Sequence, residues 1–189
     1  EQISEGNLPA DAVIAALVKR YADELPEVRK LAVEIVGALN EPKHATAMLD
    51  RLALEKNNGV RETVLRVLGK LRNPDAVDPL LAELARPDAS DACVSAAADS
   101  LGVLAERGAV SADQLAAMIE PLKLSFVQAR QRSRAVRIAL LGAMAATGSA
   151  DFKPEFEAHL AHEDSELLLR AIRGVAAPAF ARRVCSASR

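Results

Sequence analysis

The chain has 189 residues, half of them hydrophobic but only 3% aromatic, with no Trp, one Tyr and four Phe, so its core must be built from Ala, Leu, Val and Ile. A net charge of −2 and a pI of about 6.0 give no bulk attraction toward nucleic acid or an anionic membrane. No apolar stretch approaches the roughly 18 to 20 residues that span a bilayer, so the protein is expected to be soluble, with neither nucleic acid nor membrane as a partner.

Helical periodicity, punctuated by Pro, Gly and Asn, divides the chain into five antiparallel helix pairs. The pairs are predicted at 9–22 with 26–40, 42–56 with 59–72, 74–86 with about 90–106, about 111–131 with 132–147, and 151–162 with 164–177. Pro9, Pro42, Pro74 and Pro154 fall near the starts of the first helices, where a missing amide costs nothing. Ser111-Ala112-Asp113-Gln114 reads as a helix cap with an acidic first turn. No convincing run carries the alternation of a strand.

The second helices share a glycine: Gly37, Gly69, Gly102, Gly142 and Gly174, at steps of 32, 33, 40 and 32 residues. A period in the thirties marks stacked repeats. The clearest copies are Val28-Arg29-Lys30-Leu31-Ala32-Val33-Glu34-Ile35-Val36-Gly37 and Val60-Arg61-Glu62-Thr63-Val64-Leu65-Arg66-Val67-Leu68-Gly69. The copies ending at Gly102 and Gly142 are looser, and the one ending at Gly174 is the weakest. Apolar residues six, five, two and one positions before the glycine form a wide stripe, expected of an inner layer covered on more than one side. Glycine costs up to about 1 kcal/mol against alanine inside a helix, and close approach of a neighbouring helix is the simplest reason to keep it.

The pattern Val-Arg-x-x-[Ala/Val]-x-x-x-[Val/Leu]-Gly-x-Leu, followed by Pro42 and Pro74, resembles the short HEAT repeats that include those of the phycobilisome lyase type. The resemblance implies an all-α, right-handed α-solenoid of about five helix pairs, a single domain over residues 1–177 with a tail or a further helix at 178–189. It also implies a binding scaffold as the class of function, because a repeat fold does not define an activity.

In such stacks the second helices line the concave side. Positions seven and three before the glycine then give Lys30, Glu34, Glu62, Arg66, Ser95, Asp99, Ala135, Ala139, Leu167 and Ala171. Of these, Lys30, Glu34, Glu62, Arg66, Asp99 and Leu167 are the candidate partner-binding residues. The column starts charged and ends apolar, which suits an amphipathic partner segment. The same change follows if the last repeats are covered by further protein or if the register slips after the 40-residue step, and Arg137, Arg170 and Arg173 at positions meant to be buried favour a slip.

Arg29, Arg61 and Arg134 recur eight positions before the glycine, an arginine series able to bind anions or, as favoured here, to pair internally, with Glu24, Glu27, Asp88 and Asp91 nearby in sequence. Arg130, Arg132, Arg134 and Arg137 read as a solvated basic helix end. His159-Leu160-Ala161-His162-Glu163 places two histidines at i, i+3, the wrong spacing for the His-Glu-x-x-His zinc motif, and Cys93 and Cys185 lack metal-ligand spacing. No catalytic residue, metal or cofactor is therefore assigned. The expected function is a non-catalytic protein-binding module, part of a longer chain, with an unidentified protein partner. A bilin lyase-like or chaperone-type activity is the alternative, and HEAT-like nucleic-acid binding a more remote one.

Overall fold

The computed structural model describes residues 10–176 and contains ten α-helices among them: α1 (Ala10–Lys19), α2 (Pro26–Ala38), α3 (Ala45–Leu54), α4 (Asn58–Lys70), α5 (Val77–Ala85), α6 (Asp91–Glu106), α7 (Ala112–Gln128), α8 (Arg134–Thr147), α9 (Lys153–Glu157) and α10 (Ser165–Ala176). They form the five predicted pairs, and no strand occurs among the described residues. The segment 178–189 and the proline at position 9 lie outside the described residues.

Local chemistry sets the boundaries. Short 3-10 turns at Pro42–His44, Pro74–Ala76 and Ala150–Phe152 lead into α3, α5 and α9, and each buries its third residue, His44, Ala76 or Phe152. Asn57 and Ser90 cap α4 and α6 by accepting from Val60 and Cys93 amides. Ser111 and Gln114 close a reciprocal capping box on α7. Gly108 and Gly148 take φ of +62° and +66° where α6 and α8 have ended.

The second helices α2, α4, α6, α8 and α10 stack in sequence as one layer, while α1, α3, α5, α7 and α9 lie against them. Their contact surface is made of small and branched residues, among them Val33, Val36, Val64, Leu68, Ala97, Leu101, Leu140 and Leu141, all buried. Recurring glycines let the layer close. A Cβ on Gly37 would lie 2.5 Å from Val67 Cγ1, and one on Gly69 would lie 2.6 Å from Ser100 Cβ and 2.7 Å from its Cα. Ser100 is itself buried and donates its hydroxyl to the Leu65 carbonyl at 2.8 Å, locking α6 to α4.

The glycine register holds through three copies and then changes. Gly142 faces the guanidinium of Arg170, with Nη1 3.2 Å from where its Cβ would be, instead of a helix backbone. Gly174 packs on the Phe156 ring of α9, inside its own pair. The buried positions of α10 are Leu167, Ala171 and Gly174, so this helix is turned about its axis relative to the others. Leu167 is fully buried, which removes it from the exposed column, and Ala139 and Ala171 are buried as well. Three of the four apolar residues in the C-terminal half of the predicted groove are therefore core, Ala135 alone staying exposed, and the register slip accounts for the change of character. Conversely Leu31 and Ile35 of α2 and Leu39 just past it are exposed, although their counterparts Thr63, Val67 and Leu71 in the next copy are buried. No second helix precedes α2 among the described residues to cover them.

The recurring arginines pair internally, with partners more distant than those suggested by sequence proximity. Arg29 is bidentate on Glu55, through Nε and Nη2 at 2.8 Å each, and donates Nη1 to the Asp23 and Glu24 carbonyls at 2.8 and 3.0 Å. Arg61 pairs with Glu83 and donates Nη1 to the Leu52 and Glu55 carbonyls at 2.7 Å each. Arg61 thus satisfies carbonyls at the end of α3, where no intrahelical donor remains, and Arg29 those of the connection between α1 and α2; each reaches an acid of the next pair, Glu55 just past the end of α3 or Glu83 on α5. Farther along, Arg132 donates to Asp91 at 2.9 Å and to the Ala89 carbonyl at 3.0 Å, and Arg134 pairs with Asp164. Two of the four arginines expected as a solvated basic end are consumed in this way.

Glu55 collects the most bonds, from Arg29, Arg51 and the Lys56 and Asn57 amides. Burial pushes its carboxyl up, but the hydrogen bonds from Arg29, the Asn57 amide and Arg51 outweigh it and hold the pKa at about 2, below the ordinary 4.5. A carboxylate with a depressed folded-state pKa contributes stability that is present above the unfolded value and lost as pH falls through the folded one.

Two outcomes follow. Gly69→Ala gains helix propensity of about 1 kcal/mol but forces backbone against backbone, so it should lower stability by about 1 to 3 kcal/mol, whereas Gly142→Ala meets only a flexible side chain and should be near neutral; urea unfolding of both variants checks the contrast. The urea midpoint of the parent should fall between pH of about 4.5 and 2, the Glu55 share being on the order of 3 kcal/mol. Glu55→Gln should be less stable by about 3 kcal/mol at pH 7, because Arg29 stays buried without its counter-charge, and should lose that share of the acid dependence.

Candidate functional site

The exposed face of the second helices keeps five of the six predicted residues. Lys30 and Glu34 sit one turn apart on α2, 4.0 Å between charged atoms, and Glu62 and Arg66 form the equivalent pair on α4 at 2.9 Å. Such exposed i, i+4 pairs stabilise their helices by only a few tenths of a kcal/mol, about 0.3 to 0.5 each. Glu34 also lines a groove of about 610 Å3 with Asn40, Val67, Lys70 and Arg107, at the C-terminal ends of α2, α4 and α6.

Asp99, on α6, differs from these pairs. Although it reaches solvent, the protein around it desolvates the carboxyl and raises its pKa, against the pull of the Arg170 and Arg66 charges. Asp99 and Arg170 make no hydrogen bond or ion pair with any described residue. The guanidinium of Arg170 lies over Gly142, in space that a side chain there would fill, so the glycine of α8 gives a cation of α10 its course across the layer toward Asp99. Leu167 is in the core and takes no part.

Arg170 is the residue that the repeat register misplaces. Its signal in the sequence was present as an arginine where an apolar residue belonged, but only the rotation of α10 shows that it lies across α8. Ser95 is half-buried and Ala135 exposed, leaving the face weakly polar between the charged centres.

The histidine pair lies elsewhere. α9 stops at Glu157, short of the predicted 162, and the chain continues in turns in which the His159 amide donates to the Phe156 carbonyl and the His162 amide to the His159 carbonyl. His159 Nδ1 is 2.7 Å from the Glu155 carbonyl and must donate to it, while His162 Nδ1 accepts from the Asp164 amide at 3.0 Å. The two rings stack at 5.5 Å. One nitrogen of each ring thus shapes the turn, and among the described residues no group of three His, Cys, Asp or Glu side chains is placed to hold a metal ion. Cys93 is a free thiol buried in the core, its pKa raised by that burial; Cys185 lies outside the described residues. No helix among the described residues is long and apolar enough to cross a membrane.

A family model for HEAT repeats matches residues 10–102. A chain of the complex of CpcE and CpcF of phycocyanin lyase from Nostoc sp. PCC7120 superposes on this one with a TM-score of 0.68 at 26% sequence identity, over 93% of this chain and 68% of that one. No curated protein gives a significant sequence match. The matched region spans α1 to α6 up to Gly102, and the helix pairs beyond continue the same stacked layer, so the protein is an all-α HEAT-like solenoid in which residues 10–102 match the HEAT-repeat model.

Proposed function

We propose that the protein is a non-catalytic scaffold that binds a protein partner through the exposed face of its second helices, with Arg66, Asp99 and Arg170 at the centre and Lys30, Glu34 and Glu62 toward the N-terminal end. The observation that carries this reading is the contrast along that face. Lys30 with Glu34 and Glu62 with Arg66 form ion pairs, whereas the Asp99 and Arg170 charges act on each other without a hydrogen bond or close ion pair, so their hydrogen-bonding capacity stays open. A partner segment offering both a cation and a carboxylate would satisfy both at once, and charge-assisted bonds of this kind are stronger than neutral ones. The solved relative is one half of a two-protein complex, which supports a protein as the partner.

Affinity capture from a lysate of the source cells, compared between the parent and the exposed-site variants Lys30→Glu/Arg66→Glu and Asp99→Arg, tests the reading. At least one captured protein should drop fivefold or more with both variants. Equal capture by all three chains would overturn the assignment of this face.

The likeness to a phycocyanin lyase chain favours one second reading, a bilin lyase-like or chaperone-type activity. On that reading the protein retains added bilin and supports its covalent transfer to an acceptor under reducing conditions; absorbance of the gel-filtered protein and of the acceptor measures both, and absence of both removes the reading.

A further inference from the structure

Three positions of a second helix, six and two before its glycine and two after it, form the row that meets the preceding second helix, as Val67 meets Gly37 and Ser100 meets Gly69. In the second, third and fourth copies the row is Thr63, Val67 and Leu71, then Ala96, Ser100 and Leu104, then Val136, Leu140 and Met144, and all nine residues are buried. In the first copy the row is Leu31, Ile35 and Leu39, which stand 56%, 42% and 43% exposed. The helix beside it is uncovered as well: Val13 of α1 is exposed, and Ile14, Leu17 and Val18 are only half-buried.

A solenoid that meets water at its end does so with a polar outer face, yet this end carries the bulkiest and most apolar of the four rows. The row continues the contact surface that joins α2 to α4, α4 to α6 and α6 to α8, so what fits it is another helix with an apolar face. A second copy of the chain could offer either of its ends. The α10 end does not match, because Gly174 is turned onto the Phe156 ring instead of outward, and the exposed side of α10 sets Glu166 and Arg173 beside Leu169 and Ile172. The α2 end matches itself. Leu31, Ile35 and Leu39 lie at i, i+4 and i+8, a ridge symmetric about Ile35, and ridges of this spacing interdigitate when two helices pack. The charges next to the row do not oppose such a contact, since Lys30 and Glu34 offset each other on one helix.

We infer that the α1–α2 end of the stack is a self-association surface, on which a second copy of this chain packs the same Leu31, Ile35 and Leu39 row to close a twofold dimer. With the axis at Ile35, Leu31 of each copy lies against Leu39 of the other. The contact is isologous, so it saturates at two chains. Helices of 10 and 13 residues are about 15 and 20 Å long, and the face they make is smaller than the roughly 800 Å2 per partner of a standard interface. The dimer is therefore reversible, with a Kd in the micromolar range. It uses the end of the stack and does not depend on the function assigned to the second-helix face.

Sedimentation equilibrium of the full chain between about 2 and 200 μM, a span that brackets micromolar affinity, tests it. The weight-average mass should rise from 20.1 kDa toward twice that value and level off there. Ile35→Glu should raise the dimer Kd at least tenfold with an unchanged urea midpoint, because Ile35 is exposed in the single chain, and Ile172→Glu at the other end should leave the Kd within twofold. Hydrogen exchange of the unaltered chain should slow at 26–39 as concentration rises and stay constant at 165–176, a readout that needs no variant to fold. A mass that stays at one chain throughout, growth past two chains, association indifferent to Ile35→Glu, or protection confined to other segments would each overturn the proposal. The first of these is also the result if a segment of the same chain, not a second copy, covers the row.

Discussion

The close approach of successive second helices is the constraint on which the rest of the molecule depends. A solenoid has no central core; each repeat buries its apolar face only against its neighbours. With few aromatic residues to fill space, the chain gains contact by bringing backbones together, through Gly37 against Val67 and Gly69 against Ser100. Dispersion falls off steeply with separation, so a layer of Ala, Val and Leu must be tight to be stable. The glycines give up helix propensity, and the surrounding burial offsets it.

Tight stacking of one layer does not by itself fix the other. Four of the five first helices are shorter than their partners, α3, α5 and α9 start through 3-10 turns, and the tie of the first helices to the stack is electrostatic as well as apolar. Arg61 binds the carbonyl end of α3 and an acid on α5, and Arg29 binds carbonyls of the α1–α2 connection and the acid that ends α3, so a single side chain joins three segments. Buried ion pairs of this kind contribute modestly in net energy because desolvation opposes them. Their geometry is bidentate and exacting, however, and it sets the angle and register at which successive pairs can meet.

The irregular copies are where the chemistry is left open. In the first two copies Lys30 pairs with Glu34 and Glu62 with Arg66, while Arg29 and Arg61 reach across the repeats to Glu55 and Glu83. After the 40-residue step the register turns, Arg170 lies across Gly142 toward Asp99, and Arg137 lines a cleft with Glu155. A strictly periodic stack would have buried apolar residues at both arginine positions. Departure from the repeat is thus what puts polar groups on two different faces, one on the second helices and one on the first.

Local pattern was enough for much of this. The helix boundaries of the first three pairs, the cap at Ser111, the five-pair organisation and the exposure of Lys30, Glu34, Arg66 and Asp99 were legible because propensity, capping and a 3.6-residue period are properties of neighbouring residues. The sequence also indicated that Arg29, Arg61 and Arg134 pair internally. It could not indicate Glu55, Glu83 and Asp164 as the partners, which lie 22 to 30 residues away. Nor could it place Leu167 in the core, end α9 at Glu157, or set Arg137 and Glu155 in one cleft. Those features depend on the rotation of one helix against another, a single torsional choice settled by packing across the stack, and periodicity within one helix carries no record of it.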